Sequence, residues 1–122
     1  MNIEECYHRL DGDYSQVLQR IPSGALVKKF LLKFLADGTY EELSDAMEQA
    51  DRDTAFRASH TLKGVCANLG LERLRASASE LTELLRAAQA IPSEAAALME
   101  RVREDYRYTV ETIREFEASG QS

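Results

Sequence analysis

The chain has 122 residues, of which 44% are hydrophobic and 30% are charged, and its formal net charge is −6. This length and composition predict a single globular domain with a buried core and exclude a mainly disordered chain. The acidic balance argues against nucleic acid as a partner, because binding to a phosphate backbone needs a basic surface. The longest apolar run, at 30–35, contains a lysine and is far too short to span a bilayer, so no membrane partner is expected.

Residues 1–10 carry charged side chains and have no apolar signal-peptide core, so a cytoplasmic location is expected. Cys6 and Cys66 lie far apart in the sequence and have no metal-ligand spacing. We interpret them as reduced thiols that serve as small apolar residues.

Helix formers recur throughout the chain, and only six glycines and two prolines interrupt them. Apolar spacing, caps and turn residues predict seven helices, at 3–10, 14–21, 24–36, 39–50, 52–69, 71–90 and 94–117. Thr39 and Glu42 have the spacing of a capping box, and the helix that they begin should turn Ala50 inward. Gly70 is expected to end its helix in the left-handed conformation.

The predicted architecture is all-α, because no segment alternates with the period of two that is typical of a strand. Short connections make neighbouring helices antiparallel, so four of the long helices should close into an up-down four-helix bundle. The short N-terminal helices would then cap one end. We expect one domain over residues 1–122, with a bundle core at about 25–117, a frayed segment at 118–122, and a monomeric state.

One residue of the helix predicted at 52–69 faces away from the core stripe of that helix. At 100° per residue, the residues that share the inward side are Ala55, Ala58, Ser59, Leu62, Val65, Cys66 and Leu69. His60 lies almost opposite this stripe. We therefore expect its imidazole to be exposed to solvent in the middle of a rigid helix.

Three neighbours of His60 suggest what the imidazole does. Gly64, one turn later, costs about 0.5–1 kcal/mol relative to alanine in a helix interior, but it leaves the imidazole open to a partner. Lys63 lies on the adjacent turn, where its ammonium group can reach a phosphoryl group on the ring, and Arg57 can add positive charge from the other side. The alternatives are a surface glycine without function and cations that belong to a solvated helix face.

The residues around His60 form a known sequence motif. The segment His60-Thr61-Leu62-Lys63-Gly64, which continues to Leu69-Gly70, closely resembles the signature of histidine-containing phosphotransfer (HPt) domains. The predicted helix order over about 25–116 also resembles the bundle of that family. The resemblance implies a phosphorelay intermediate that accepts a phosphoryl group from a receiver-domain aspartate and passes it to another receiver aspartate.

The same resemblance implies the roles of the site residues. His60 would be phosphorylated through Nε2, Lys63 would stabilise the phosphoryl group, and Gly64 would give the receiver access. Receiver domains of response regulators or hybrid histidine kinases would be the partners. They would supply the divalent metal, so no metal site and no cofactor are expected in this chain. Phe56 and Ala67, with Arg57, are the nearest candidates for the patch on which a receiver docks.

Other functions fit these residues less well. A phosphocarrier is not itself an enzyme, and the chain has no glycine-rich nucleotide loop, so no autonomous kinase activity is expected. A metal site shared by His60 and Cys66 fails because the two residues point in different directions from one helix. The main alternative is a helical docking module that binds a signalling partner without phosphotransfer. His8 lacks a Lys-Gly pair after it and is interpreted as an ordinary surface residue.

Overall fold

A computed structural model gives the fold and describes residues 1–120. All regular secondary structure in this part of the chain is α-helical, which confirms the predicted helical class. The last two residues of the segment expected to fray, 118–122, lie outside the described residues. The helices in chain order are α1 (Ile3–Arg9), α2 (Tyr14–Arg20), α3 (Gly24–Phe34), α4 (Thr39–Glu48), α5 (Arg52–Leu69), α6 (Glu72–Arg86) and α7 (Ala95–Ala118).

The start and the end of α4 differ from the prediction. Thr39 is already the first helical residue, and no side chain caps the helix. The side chain of Asp37 instead accepts a hydrogen bond from the Thr39 N–H at 2.8 Å, so the predicted capping box is wrong. Ala50 was expected to point inward, but it is exposed and has a φ of 55°, because the helix has ended and the chain is turning into α5. Ala46 occupies the buried position.

The end of α6 is set by a contact from another helix. The helix stops at Arg86, four residues before the predicted end at 90. Arg52, the first residue of α5, donates from Nε to the Leu85 carbonyl at 2.9 Å and from Nη2 to the Leu85 and Arg86 carbonyls at 2.6 and 3.2 Å. Because the last carbonyls of a helix have no partner within that helix, this guanidinium group serves as a cap supplied by α5.

Helices α4 to α7 pack in the order in which they follow one another. Helix α5 lies between α4 and α6, and α6 packs against α7. The rings of Tyr40 and Tyr106 stack with centroids 4.0 Å apart and connect α4 to α7. The largest fully buried side chains include Tyr7, Leu31, Leu43, Leu62, Leu74, Leu81, Leu85, Ile113 and Phe116. No helix within residues 1–120 has the length and apolar character needed to cross a membrane.

The N-terminal helices pack on the carboxyl end of α5. The hydroxyl group of Tyr7 donates to the Leu69 carbonyl at 2.7 Å, and Arg20 donates to the carbonyls of Ala67 and Asn68 at 3.1 and 3.2 Å. Gly70 has a φ of 72°, as predicted, and a Cβ atom there would lie 2.4 Å from a methyl carbon of Val17. The end of α5 is therefore held in place by residues of α1 and α2.

Candidate functional site

The site is built on α5, which is fixed at both ends. The side chain of Asp51 accepts a hydrogen bond from the Thr54 N–H at 3.1 Å and so caps the first turn. Hydrogen bonds from Thr54 hold the pKa of the Asp51 carboxyl below its usual value. At the other end, the left-handed Gly70 and the hydrogen bonds from Tyr7 and Arg20 close the helix. A side chain in the middle of α5 therefore stands on a rigid support.

His60 projects from the outer face of α5 and is exposed. The residues of α5 that are buried are Ala55, Ala58, Ser59, Leu62, Cys66 and Leu69. Val65, which was also predicted to lie in the core stripe, is only half-buried. The buried face and His60 thus lie on opposite sides of the helix, where the 100° periodicity had placed them.

Gly64 faces open space. A Cβ atom built at this position would have no atom within 4 Å, apart from the backbone of its own helix. No packing requirement inside the domain therefore explains a glycine here, although a glycine weakens a helix interior by about 0.5–1 kcal/mol relative to alanine. The surface beside His60 is left free for an approaching molecule.

Lys63 lies between the site and α6. Its Nζ atom is 4.0 Å from Oε1 of Glu83, and its side chain is 32% exposed. The other carboxylate oxygen of Glu83 lies 3.3 Å from Nε of Arg86. The ammonium group of Lys63 is thus held only loosely, in a pair that water reaches.

Phe56 contacts His60 and lies close to two arginines. The Phe56 and His60 rings meet edge to face, with centroids 6.0 Å apart and an angle of 61° between their planes. The guanidinium carbons of Arg52 and Arg86 lie 4.9 and 5.1 Å from the centroid of the Phe56 ring. Cation–π attraction of this kind fixes the aromatic ring, which in turn limits the positions open to the imidazole.

The other two residues expected to bind a partner lie apart from the His60 ring. Arg57 is exposed and donates to the Thr54 hydroxyl at 3.4 Å, which turns its guanidinium group away from His60 along α5. Ala67 is exposed on the last turns of α5. The structure therefore brings Phe56 to His60 and leaves Arg57 and Ala67 at the edges of the surface.

A shallow apolar cavity of about 210 Å³ opens beside α5 on the side of α3. Its lining residues are Phe30, Lys33, Phe34, Asp37, Val65, Asn68 and Leu69. The 100° periodicity of α5 had placed Val65 in the core, and no sequence pattern pointed to Asn68 as a surface contact. The only signal for this cavity was the position of Val65 at the edge of the core stripe.

The cysteines do not contribute chemistry to this surface. Both are buried, and burial raises the pKa of the Cys6 thiol to about 11 and that of the Cys66 thiol to about 12. Both thiols are therefore protonated at neutral pH and poorly reactive. Within residues 1–120, no group of three or more His, Cys, Asp or Glu side chains is arranged to hold a metal ion.

Comparison with known proteins identifies the family. The family model described as "Hpt domain" matches residues 32–115, which is more than half of the chain and includes α4, α5 and α6 completely. Comparisons with curated proteins and with solved structures found no significant match. The matched region contains His60, Lys63 and Gly64 with the surface described above, and the chain belongs to the Hpt domain family.

Proposed function

We propose that this protein is a phosphorelay intermediate that accepts a phosphoryl group from a receiver-domain aspartate onto His60 and passes it to another receiver aspartate. Membership of the Hpt family gives the general role, a phosphotransfer module of two-component signalling. The observation that carries the assignment to His60 is its exposure one turn before Gly64, where a side chain would meet only open space. A receiver can bring its aspartyl phosphate to the imidazole without displacing any part of this domain.

The transfer needs little from this chain beyond a well-placed nucleophile. The lone pair of His60 Nε2 attacks the phosphorus atom of the aspartyl phosphate, a P–N bond forms, and the bond from phosphorus to the aspartate oxygen breaks. The departing electron pair leaves the aspartate as a carboxylate. The reverse reaction on a second receiver returns His60 to its free state, so no nucleotide and no oxidant are involved.

Lys63 stabilises the transferred group in this proposal. Its ammonium group lies one turn of α5 from His60 and is held only by the loose contact with Glu83. A positive charge close to the phosphoryl oxygens favours the negative charge that they carry. The receiver supplies the divalent cation, and this chain acts as a carrier without kinase activity of its own.

We infer that helices α4 to α7 form an antiparallel up-down four-helix bundle. The support is that consecutive helices contact one another, that short connections join them, and that the Tyr40–Tyr106 stack connects the first of the four to the last. Phe56 and Ala67 would lie within the receiver contact, with Arg57 at its edge. A monomer in the cytoplasm is sufficient for this function.

The direct test is transfer from receivers that carry radiolabelled aspartyl phosphate, using the receivers of the same cell. We expect the protein to gain a phosphate that is labile in acid and stable in base, which is typical of phosphohistidine. A second receiver added afterwards should remove the label. Binding of receivers with no label on the protein would instead support the alternative, a docking module without phosphotransfer.

The two cations near His60 should differ in importance. We expect Lys63→Ala to slow transfer from the receiver by about tenfold. A preorganised donor in a water-excluded site contributes about 10²–10³ to a rate, and Lys63 should contribute less because water reaches its side chain. Arg57→Ala should slow it less than threefold, because the Arg57 guanidinium group is turned toward Thr54. Rapid-quench measurement of the transfer rate checks both variants. A larger effect of Arg57→Ala would mean that the ranking is wrong.

A further inference from the structure

The surroundings of Lys63 contain a carboxylate that is not part of the family signature. We infer that Glu83 on α6 competes with the phosphoryl group for Lys63 and thereby sets how far the transfer equilibrium lies toward phosphorylated His60. This inference rests on the proposed function, because it concerns the phosphorylated state of His60. Glu83 is a positioning residue in this scheme, since it acts through Lys63 and does not touch the reacting atoms.

The geometry places Glu83 between two cations. Its Oε1 lies 4.0 Å from Lys63 Nζ, and its Oε2 lies 3.3 Å from Arg86 Nε. Arg86 in turn lies over Phe56, whose ring meets the edge of the His60 ring. A chain of contacts thus runs from Lys63 through Glu83, Arg86 and Phe56 back to His60.

This arrangement allows Lys63 to change partners easily. The Lys63–Glu83 contact is at the outer limit of an ion pair, and the Glu83 side chain is 57% exposed, so the pair is weak. A phosphoryl group on His60 carries up to two negative charges and is the stronger attractor for the ammonium group. When Lys63 turns toward it, Glu83 keeps Arg86 as its partner, so no carboxylate is left without a cation. Removing the charge of Glu83 should therefore favour the phosphorylated state.

The test compares Glu83→Gln with Glu80→Gln, and each substitution is also made together with Lys63→Ala. Glu80 is a matched control, because it is also an exposed glutamate of α6 that forms an ion pair. Its partner is Arg101 on α7, with 2.6 Å between Arg101 Nη1 and Glu80 Oε2. All variants carry His8→Gln, so that His60 is the only histidine that can be phosphorylated. The first measurement is the equilibrium distribution of phosphate between a receiver and His60.

The second measurement needs no receiver. Phosphoramidate, a small phosphoryl donor, phosphorylates His60 chemically, and phosphorus NMR then follows loss of the last proton from the phosphoryl group as the pH rises. A freed ammonium group stabilises the fully ionised form. If no phosphate were transferred from a receiver to His60, the proposed function would be wrong. The titration does not depend on that transfer, so it tests the inference about Glu83 separately.

We expect Glu83→Gln to shift the transfer equilibrium about two- to threefold toward phosphorylated His60, the size of effect that exposed ion pairs usually have. In the same variant, the proton affinity of the phosphoryl group on His60 should fall by a similar factor. Glu80→Gln should change neither quantity by more than the experimental error, and the effect of Glu83→Gln should disappear in the Lys63→Ala background. If Glu83→Gln still had an effect without Lys63, Glu83 would be repelling the phosphoryl group directly, and the inference would be wrong. Equal transfer equilibria and equal proton affinities for wild type and Glu83→Gln would also overturn it.

Discussion

His60→Gln is expected to abolish acceptance of phosphate from a phosphorylated receiver, whereas His8→Gln leaves acceptance at the wild-type level. Glutamine keeps the size and polarity of the side chain approximately, but its amide nitrogen has no free lone pair with which to attack phosphorus. His8 is the matched control because it is the second exposed histidine of the chain and lies on α1, without a following Lys-Gly pair.

The same two variants should fold normally. Both histidines are exposed, and surface substitutions of this kind usually change the free energy of unfolding by less than about 0.5 kcal/mol. Urea denaturation checks this point, and the labelling experiment with a phosphorylated receiver checks function. Label that persists in His60→Gln and disappears in His8→Gln would move the phosphorylation site to α1 and refute the assignment.

Gly64→Gln is expected to separate stability from transfer. The free energy of unfolding should rise by about 0.5–1 kcal/mol, because glutamine is a better helix former and a Cβ atom here meets no neighbour. Transfer from a receiver should nevertheless slow by at least about tenfold, since the added side chain obstructs the close approach that an in-line transfer requires. The two quantities are measured by denaturation and by rapid-quench kinetics.

Two controls make this result specific to steric access. Gly64→Ala should give at least the same gain in stability, because alanine is the best helix former, but its side chain is small, so transfer should fall less than in Gly64→Gln. Phosphoramidate is small enough to reach the imidazole past the glutamine, so chemical phosphorylation of His60 should proceed at close to the wild-type rate. Equal loss with both donors would mean that the substitution disturbs His60 itself and that obstruction of the receiver is not the cause.

The position of His60 was predictable because it depends on one helix only. The period of 3.6 residues fixes the angle between any two side chains of α5, so the core stripe and the outward direction of His60 followed from the order of residues. The two ends of α5 were equally local, because Asp51 has the side chain of an N-cap and Gly70 tolerates a left-handed backbone. The capping box at Thr39 failed, because the Asp37 side chain accepts the Thr39 N–H and Thr39 is already helical.

The order of residues is therefore enough to predict the helices and the outward face of α5, with His60, Lys63 and Gly64 on it. The side chains of other helices that reach this face depend on how the helices pack. Lys63 and Glu83 meet only because α5 and α6 pack at a particular register, and the placement of Phe56 by Arg52 and Arg86 depends on the same contact. Periodicity predicts the angles of side chains around one helix axis, but it does not predict how far one helix is shifted along its axis relative to another. The charge environment of His60 therefore depends on how α5 and α6 pack against each other.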